Sequence, residues 1–209
     1  GPWGGFKCAW RYRNEDRASE RDKLGVNCGA RHANADDIVA GDFEAAVVAT
    51  GGQSSAPPIP GIDGPCVMDA IDVFNGKATA GKRVLVLGGG ETAVEVALYL
   101  EQAGREVSIL HRREELMARD CTVTDKISYN EMLARAGIEI MTGLQVTEIS
   151  GGRVTATDRN GKPRHFEADS IVTALGYAPN RDGIAETLRS AGGIEVYEVG
   201  DCVRTAKVY

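Results

Sequence analysis

The apolar positions of this chain change period along its length, and the change is most regular in the middle. Val84-Leu85-Val86-Leu87 is a continuous apolar run, the pattern of a strand covered on both faces of a parallel sheet. Beyond it Ala93, Ala97 and Leu100, flanked by Val94 and Leu98, recur at helical spacing, which predicts a helix over 91–103 stopped by Gly104. Residues 106–110 read as the next strand. Tyr129, Met132, Leu133 and Ala136 mark one face of a second helix over 123–136 with Gly137 as its stop, and 138–141 is again a strand. Residues 144–168 alternate between turns at Gly151-Gly152 and Asn160-Gly161, a β-meander. Ser170 to Leu175 is a last apolar strand before Gly176.

The first part is less regular. A solvated helix is expected over 15–24, ended by Gly25, then a short strand over 26–30 and a helical turn near Asp36, Asp37 and Gly41. Ala45 to Thr50 is an apolar strand closed by Gly51-Gly52. Residues 53–65 hold four of the seven prolines and read as a loop or interdomain crossing. The two parts echo each other. Leu24-Gly25-Val26 leading to Val47–Gly51 parallels Ala136-Gly137-Ile138 leading to Val172–Gly176. The second unit opens on glycines that begin at Gly88, 88 residues before Gly176; the same interval before Gly51 falls outside the chain. A fragment is therefore expected, and the opening Gly1-Pro2 looks like a protease-cleavage scar.

Composition narrows the picture. The chain has 209 residues, 43% hydrophobic and 26% charged, with net charge −6 and pI about 5.2, so neither nucleic acid nor an anionic membrane is an expected partner. No apolar stretch approaches the roughly 20 residues of a membrane span, and no signal peptide is read. The five cysteines include no C-x-x-C pair, and His32, His111 and His165 are scattered, so no metal site is expected. Idle thiols fit a reducing, cytoplasmic location.

The chemistry concentrates at Gly88-Gly89-Gly90-Glu91-Thr92-Ala93. Gly88 allows a sharp turn off the strand, Gly90 lets the backbone approach a pyrophosphate, and Ala93 keeps the helix close to the strand. The helix N-terminus then offers N–H groups and its positive dipole end to phosphates. Such a glycine pattern alone is weak; between a buried strand and an amphipathic helix, with a second strand at the right distance, it is strong. Where an acidic residue would accept hydrogen bonds from the ribose hydroxyls of NAD, this chain has His111-Arg112-Arg113. Guanidinium groups suit a 2′-phosphate, which favours NADP(H) over NAD(H). Glu114-Glu115 is the counterweight, because these carboxylates could pair with the arginines instead.

Val48-Ala49-Thr50-Gly51, the loop at Gly88, Ala174-Leu175-Gly176-Tyr177-Ala178-Pro179-Asn180 and Val199-Gly200-Asp201-Cys202 follow one another as in two-dinucleotide flavoprotein reductases. Residues 40–209 resemble the C-terminal part of the NADH:flavin oxidoreductases related to 2,4-dienoyl-CoA reductase, enoate reductase and trimethylamine dehydrogenase. Gly4-Gly5-Phe6 and Lys23–Val26 extend the resemblance toward the start, and His111-Arg112-Arg113 is more like thioredoxin reductase, with Met117 where that pattern has a further basic residue. The resemblance implies that Asp201 binds the ribityl or pyrophosphate region of FAD and that Thr50 and Gly51 form the crossing between the flavin and pyridine-nucleotide halves. It also implies a relay from NAD(P)H through FAD to an iron–sulfur cluster and FMN in an N-terminal barrel, with no catalytic side chain in this chain. In the trimethylamine dehydrogenase-like branch the corresponding module holds an adenine nucleotide or serves structure, which leaves a non-catalytic role open. The expected fold is α/β: a Rossmann-like three-layer domain with a β-meander at 67–176, and a truncated flavin-binding half made of 1–66 and 177–209. Val47 and the strand before Gly200 should meet in that remnant sheet, whose exposed apolar surface dimerisation or a rearranged sheet edge would cover.

Overall fold

A computed structural model of the protein describes residues 16–29, 31–118 and 121–206. The chain separates into two compact units, Gly1–Phe43 and Glu44–Tyr209. The expected start of the first helix at Glu15, the Gly4-Gly5-Phe6 motif and Ala30 lie outside the described residues.

In the first unit, residues 16–23 are helical (α1) and Gly25 follows at φ +69°. Helix α2 (Ala35–Val39) is set by a capping box: Asn34 accepts from the Asp37 N–H, and the Asp37 carboxylate accepts from the Asn34 N–H. The strand expected over 26–30 is absent, since residues 26–29 carry no regular structure. Asn27 and Gly29 are poor strand formers, and Val26 is exposed rather than packed on a sheet.

The second unit runs β1 (Ala45–Val48), β2 (Gly52–Ser54), β3 (Val67–Asp69), α3 (Ala70–Phe74), β4 (Arg83–Gly88), α4 (Glu91–Gln102), β5 (Glu106–Leu110), α5 (Val123–Ala136) and β6 (Glu139–Met141). Then come β7 (Gln145–Ser150), β8 (Arg153–Thr157), β9 (Pro163–Glu167), β10 (Ser170–Ala174), β11 (Tyr177–Pro179), α6 (Ile184–Ala191), β12 (Glu195–Glu198) and a 3₁₀ turn at Gly200–Cys202. Five strands form a parallel sheet in the order β3-β10-β4-β5-β6. Residues Val84 to Gly88 are buried throughout because both faces of β4 are covered. Leu85 and Leu87, with Leu110 and Ile171, pack against Val146, Ile149, Val154 and Ala156 of the antiparallel meander β7-β8-β9. The alternate residues Val84, Val86, Ile109 and Val172 point to the other face. That face carries α4, whose Ala93, Val94, Val96 and Ala97 are fully buried. The result is the three-layer α/β Rossmann-like fold expected from the sequence. Each such valine, leucine or isoleucine side chain contributes roughly 1.5–3 kcal/mol by leaving water.

Helix α5 has the expected bounds, but only Leu133 of its predicted face is buried; Tyr129, Met132 and Ala136 are half-covered. Its Thr122 cap accepts from the Asp125 N–H, and the Tyr129 hydroxyl donates to Glu95 on α4 at 2.7 Å. The proline-rich crossing is not wholly a loop. Gln53 and Ser54 belong to β2, which pairs antiparallel with β11, and Ile59 is part of the core under the meander. The Asn180 N–H donates to Gly51 O, its side chain donates to Thr50 O, and the Ser55 N–H donates to Gly176 O, so the two passages of chain are stitched together. Strand β1 pairs in parallel with β12, Val47 opposite Tyr197, where the sequence placed that contact.

Candidate functional site

From β4 the chain proceeds through α4 to β5 and β6 on one side; β10 and β3 lie on the other. The connections diverge between β4 and β10, so a crevice opens at the carboxyl ends of these strands, where α/β sheets bind ligands. A cleft of about 860 Å³ occupies this place. Its lining includes Gly88 to Thr92 from the loop, His111 to Arg113 from the end of β5, Ala174 to Gly176 from the end of β10, and Asp201. Ala93 is fully buried behind the loop. Thr50 and Gly51 do not line the cleft: Thr50 lines a separate small depression with Asn180, and the Gly51 carbonyl accepts from the Asn180 N–H. Neighbouring Gly52 lines the cleft itself.

Each glycine of the loop meets a different constraint. Gly88 has φ +147°, and a Cβ there would stand 2.3 Å from Ala174 O on β10. A Cβ on Gly89 would stand 2.3 Å from the His111 ring. At Gly90, with ordinary extended dihedrals, a Cβ would meet nothing within 4 Å. Gly90 is therefore free of any packing demand and borders open space in the cleft. It is also the N-cap of α4, and no side chain caps that helix. The first-turn N–H groups of a helix lack intrahelical acceptors, and the dipole adds positive potential to them. These features together make an anion cradle, open on the side a pyrophosphate would take.

At the end of β5, Arg112 is exposed and Arg113 is half-exposed. The carboxylates next to them are engaged elsewhere. Glu114 pairs with Arg159 at 3.4 Å, and Glu115 pairs with Lys126 at 2.7 Å. Among the described residues no ion pair involves Arg112 or Arg113, which leaves two guanidinium groups on the cleft wall. The Lys126 ammonium lowers the Glu115 carboxyl below its usual range. His111 is fixed by its backbone: its N–H donates to Met141 O, and its carbonyl accepts from the Leu144 N–H.

Burial, with Arg113 and then Arg112 adding repulsion, lowers the His111 imidazole from its ordinary value of 6.5. The unfolded chain therefore takes up this proton first as pH falls. Stability is full above 6.5, declines as pH drops toward the lower folded value, and levels off below it. Urea midpoints measured across this window should fall with acidification, and His111→Gln should flatten that slope. An unchanged slope would mean that other groups cause it.

Several lining residues were not singled out by sequence reasoning. Met117 stands where the thioredoxin reductase pattern has a further basic residue. It is instead buried, in the left-handed region at φ 51°, with its N–H donating to Gly89 O at 2.6 Å. It supports the phosphate loop from below. Tyr177 and Asp69 also line the cleft; a G-Y-A-P-N string can flag the tyrosine, but nothing local flags the aspartate. Among the described residues no cluster of His, Cys, Asp and Glu could hold a metal, and no helix is long and apolar enough to cross a membrane.

Comparison with known proteins identifies the family and agrees with the fold. The bilirubin reductase of Mediterraneibacter gnavus (strain CC55_001C) is 32% identical over 172 residues, covering 82% of this chain and 26% of that protein. The NADH oxidase of Thermoanaerobacter brockii is 30% identical over 203 residues, covering 95% of this chain and 30% of that protein. The solved structure of a 2-naphthoyl-CoA reductase in complex with 2-naphthoyl-CoA superposes with a TM-score of 0.82 at 31% identity, over 91% of this chain and 29% of that one. The chain thus spans only 26% to 30% of the length of these relatives. The family described as pyridine nucleotide-disulphide oxidoreductase matches residues 16–209. A ferredoxin–NADP reductase of Rhodospirillum rubrum, 28% identical over 151 residues, is also similar, covering 68% of this chain and 43% of that protein. With its two-sided parallel sheet, its glycine loop and this match over most of its length, the chain belongs to the pyridine nucleotide-disulphide oxidoreductase family.

Proposed function

We propose that this chain is the NADPH-binding portion of a flavin-dependent oxidoreductase of the NADH:flavin oxidoreductase and 2,4-dienoyl-CoA reductase-like group. The single observation that carries the cofactor choice is the pair Arg112 and Arg113, on the cleft wall and outside any described ion pair while Glu114 and Glu115 are held by Arg159 and Lys126. In this reading residues 88–93 hold the pyrophosphate at the N-terminus of α4, and the two arginines hold the 2′-phosphate by charge-assisted hydrogen bonds. Residues 67–176 are then the nucleotide-binding domain, and 1–66 with 177–209 are pieces of a flavin-binding domain. Asp201, with the crossing at Thr50 and Gly51, serves the flavin side.

Asp201 fits a flavin contact because it lines the same cleft as the phosphate loop, next to Gly52. Residues 88–93 with Arg112 and Arg113 would hold the nicotinamide nucleotide and Asp201 the flavin, and the two bound together would supply hydride-transfer chemistry, with FMN and an iron–sulfur centre in the rest of the enzyme as the onward acceptors. This chain's own residues bind and orient. The missing C-x-x-C argues against direct disulfide reduction by cysteines of this chain.

Calorimetric titration with NADPH, NADH and ADP tests the reading. The protein should bind NADPH more tightly than NADH. Combined Arg112→Ala and Arg113→Ala should weaken NADPH binding by roughly tenfold or more, the scale of one or two charged hydrogen bonds, and spare NADH. No binding of either nicotinamide nucleotide, with ADP still bound, would favour the non-catalytic adenine-nucleotide module. Equal losses for NADPH and NADH would mean the arginines are only a solvated face.

A further inference from the structure

The topology fixes which way a dinucleotide must lie, and this exposes a residue that neither the glycine loop nor the arginines account for. With the 2′-phosphate at the end of β5 and the pyrophosphate at the end of β4, the nicotinamide half has to run past β4 toward β10 and β3. The side chain at that end of the cleft with an aromatic face is Tyr177, the first residue of β11. Its backbone is anchored twice, through pairing of Tyr177 with Ser54 and through the Thr205 hydroxyl donating to Tyr177 O at 3.3 Å. Thr92, in the first turn of α4, lines the same cleft. Tyr177 therefore lines the cleft from the β2–β11 ribbon. It keeps 41% of its surface exposed, enough for a ring face to receive a flat ligand.

We infer that Tyr177 is a specificity-determining contact for the nicotinamide ring, its phenyl face forming the wall on which the ring packs. The inference rests on the nucleotide reading given above. Three observations carry it: the position of Tyr177 on the cleft lining, its double backbone anchor, and its place on the side of β4 away from the arginines. Burial, assisted by the Asp69 and Glu95 carboxylates and opposed by the Thr92 hydroxyl, raises the phenol above its ordinary value. The ring is accordingly neutral at physiological pH and presents an apolar face at modest desolvation cost. An aromatic platform of this kind is tolerant of the ring's redox state and intolerant of its absence.

The test uses the 209-residue protein with NADPH and with 2′-phospho-ADP-ribose, which keeps every group of NADPH except the nicotinamide. Tyr177→Ala should weaken NADPH binding about tenfold, the scale of a lost aromatic contact, and leave 2′-phospho-ADP-ribose binding within a factor of about two. Tyr177→Phe should keep most of the NADPH affinity, because the face and not the hydroxyl is used. Equal losses for both ligands would make Tyr177 a structural prop, and an unchanged or tighter NADPH complex would remove it from the site; either result overturns the assignment. Failure of the unsubstituted protein to bind 2′-phospho-ADP-ribose would overturn the nucleotide reading and this inference with it. Binding of both ligands without separation by Tyr177→Ala overturns the inference alone.

Discussion

Gly88→Ala should destabilise the protein by roughly 3–5 kcal/mol, the combined scale of a strained left-sided dihedral and an overpacked interior. Two independent penalties meet at this residue. Its φ of +147° is open only to glycine, and the added carbon would stand 2.3 Å from the carbonyl oxygen of Ala174. That obstacle is backbone of the neighbouring strand β10, which is held by its parallel pairing to both β4 and β3, so it cannot swing away as a side-chain tip could. Relief would require β4 and β10 to separate at the centre of the sheet. Urea unfolding followed by circular dichroism measures the effect; a loss below about 1 kcal/mol would show that the strand pair yields more easily than close packing allows.

Two residues on, the expectation reverses. Gly90→Asp should leave stability unchanged or slightly improved and should weaken dinucleotide binding by about a hundredfold or more. The dihedrals at Gly90 suit any residue, and its Cβ direction is open for 4 Å. Aspartate is also a better N-cap than glycine by a few tenths of a kcal/mol. Yet the new carboxylate would use the same N–H groups as the ligand and place a like charge beside a pyrophosphate; in a partly desolvated cleft that repulsion is worth several kcal/mol. Calorimetry alongside urea unfolding separates the two effects. Retained affinity would mean that phosphate does not lie over Gly90. Together the two substitutions divide the loop into a part required by the sheet and a part required by the ligand.

The nucleotide-binding layers could be read from the sequence because their signals are local. The four-residue apolar run of β4, the three-residue glycine loop and the period of α4 lie consecutively, and α5 and the meander announce themselves by caps and turns. Strand β3 and helix α3 escaped notice since they span three and five residues and form only because Val67 to Asp69 can pair with β10 more than a hundred positions later. Helix α6 buries Ala185 and Leu188, a face of two turns that is too short to establish a period. In the site, Arg112 and Arg113 were legible by their distance from the loop, but their freedom was not. That depended on Lys126 and Arg159 drawing Glu114 and Glu115 away. Met117 and Tyr177 were likewise invisible in role, one set by a backbone bond to Gly89 and the other by strand pairing with Ser54. Val26 misled in the opposite direction, because an isolated β-branched residue promises a strand that no neighbour completes.

The stitching of Ser55 to Gly176 by a 2.9 Å hydrogen bond has a consequence for heredity as well as for structure. Everything between those residues leaves and returns through a single two-stranded stem. A segment with adjoining ends is a cassette: it can enter a host fold at one peptide link without stretching the host, and it can be exchanged for another of the same gauge. Such a graft needs only a compatible short ribbon at the junction, not a matching core. One nucleotide-binding cassette could thus be shared among reductases whose remaining parts have nothing else in common.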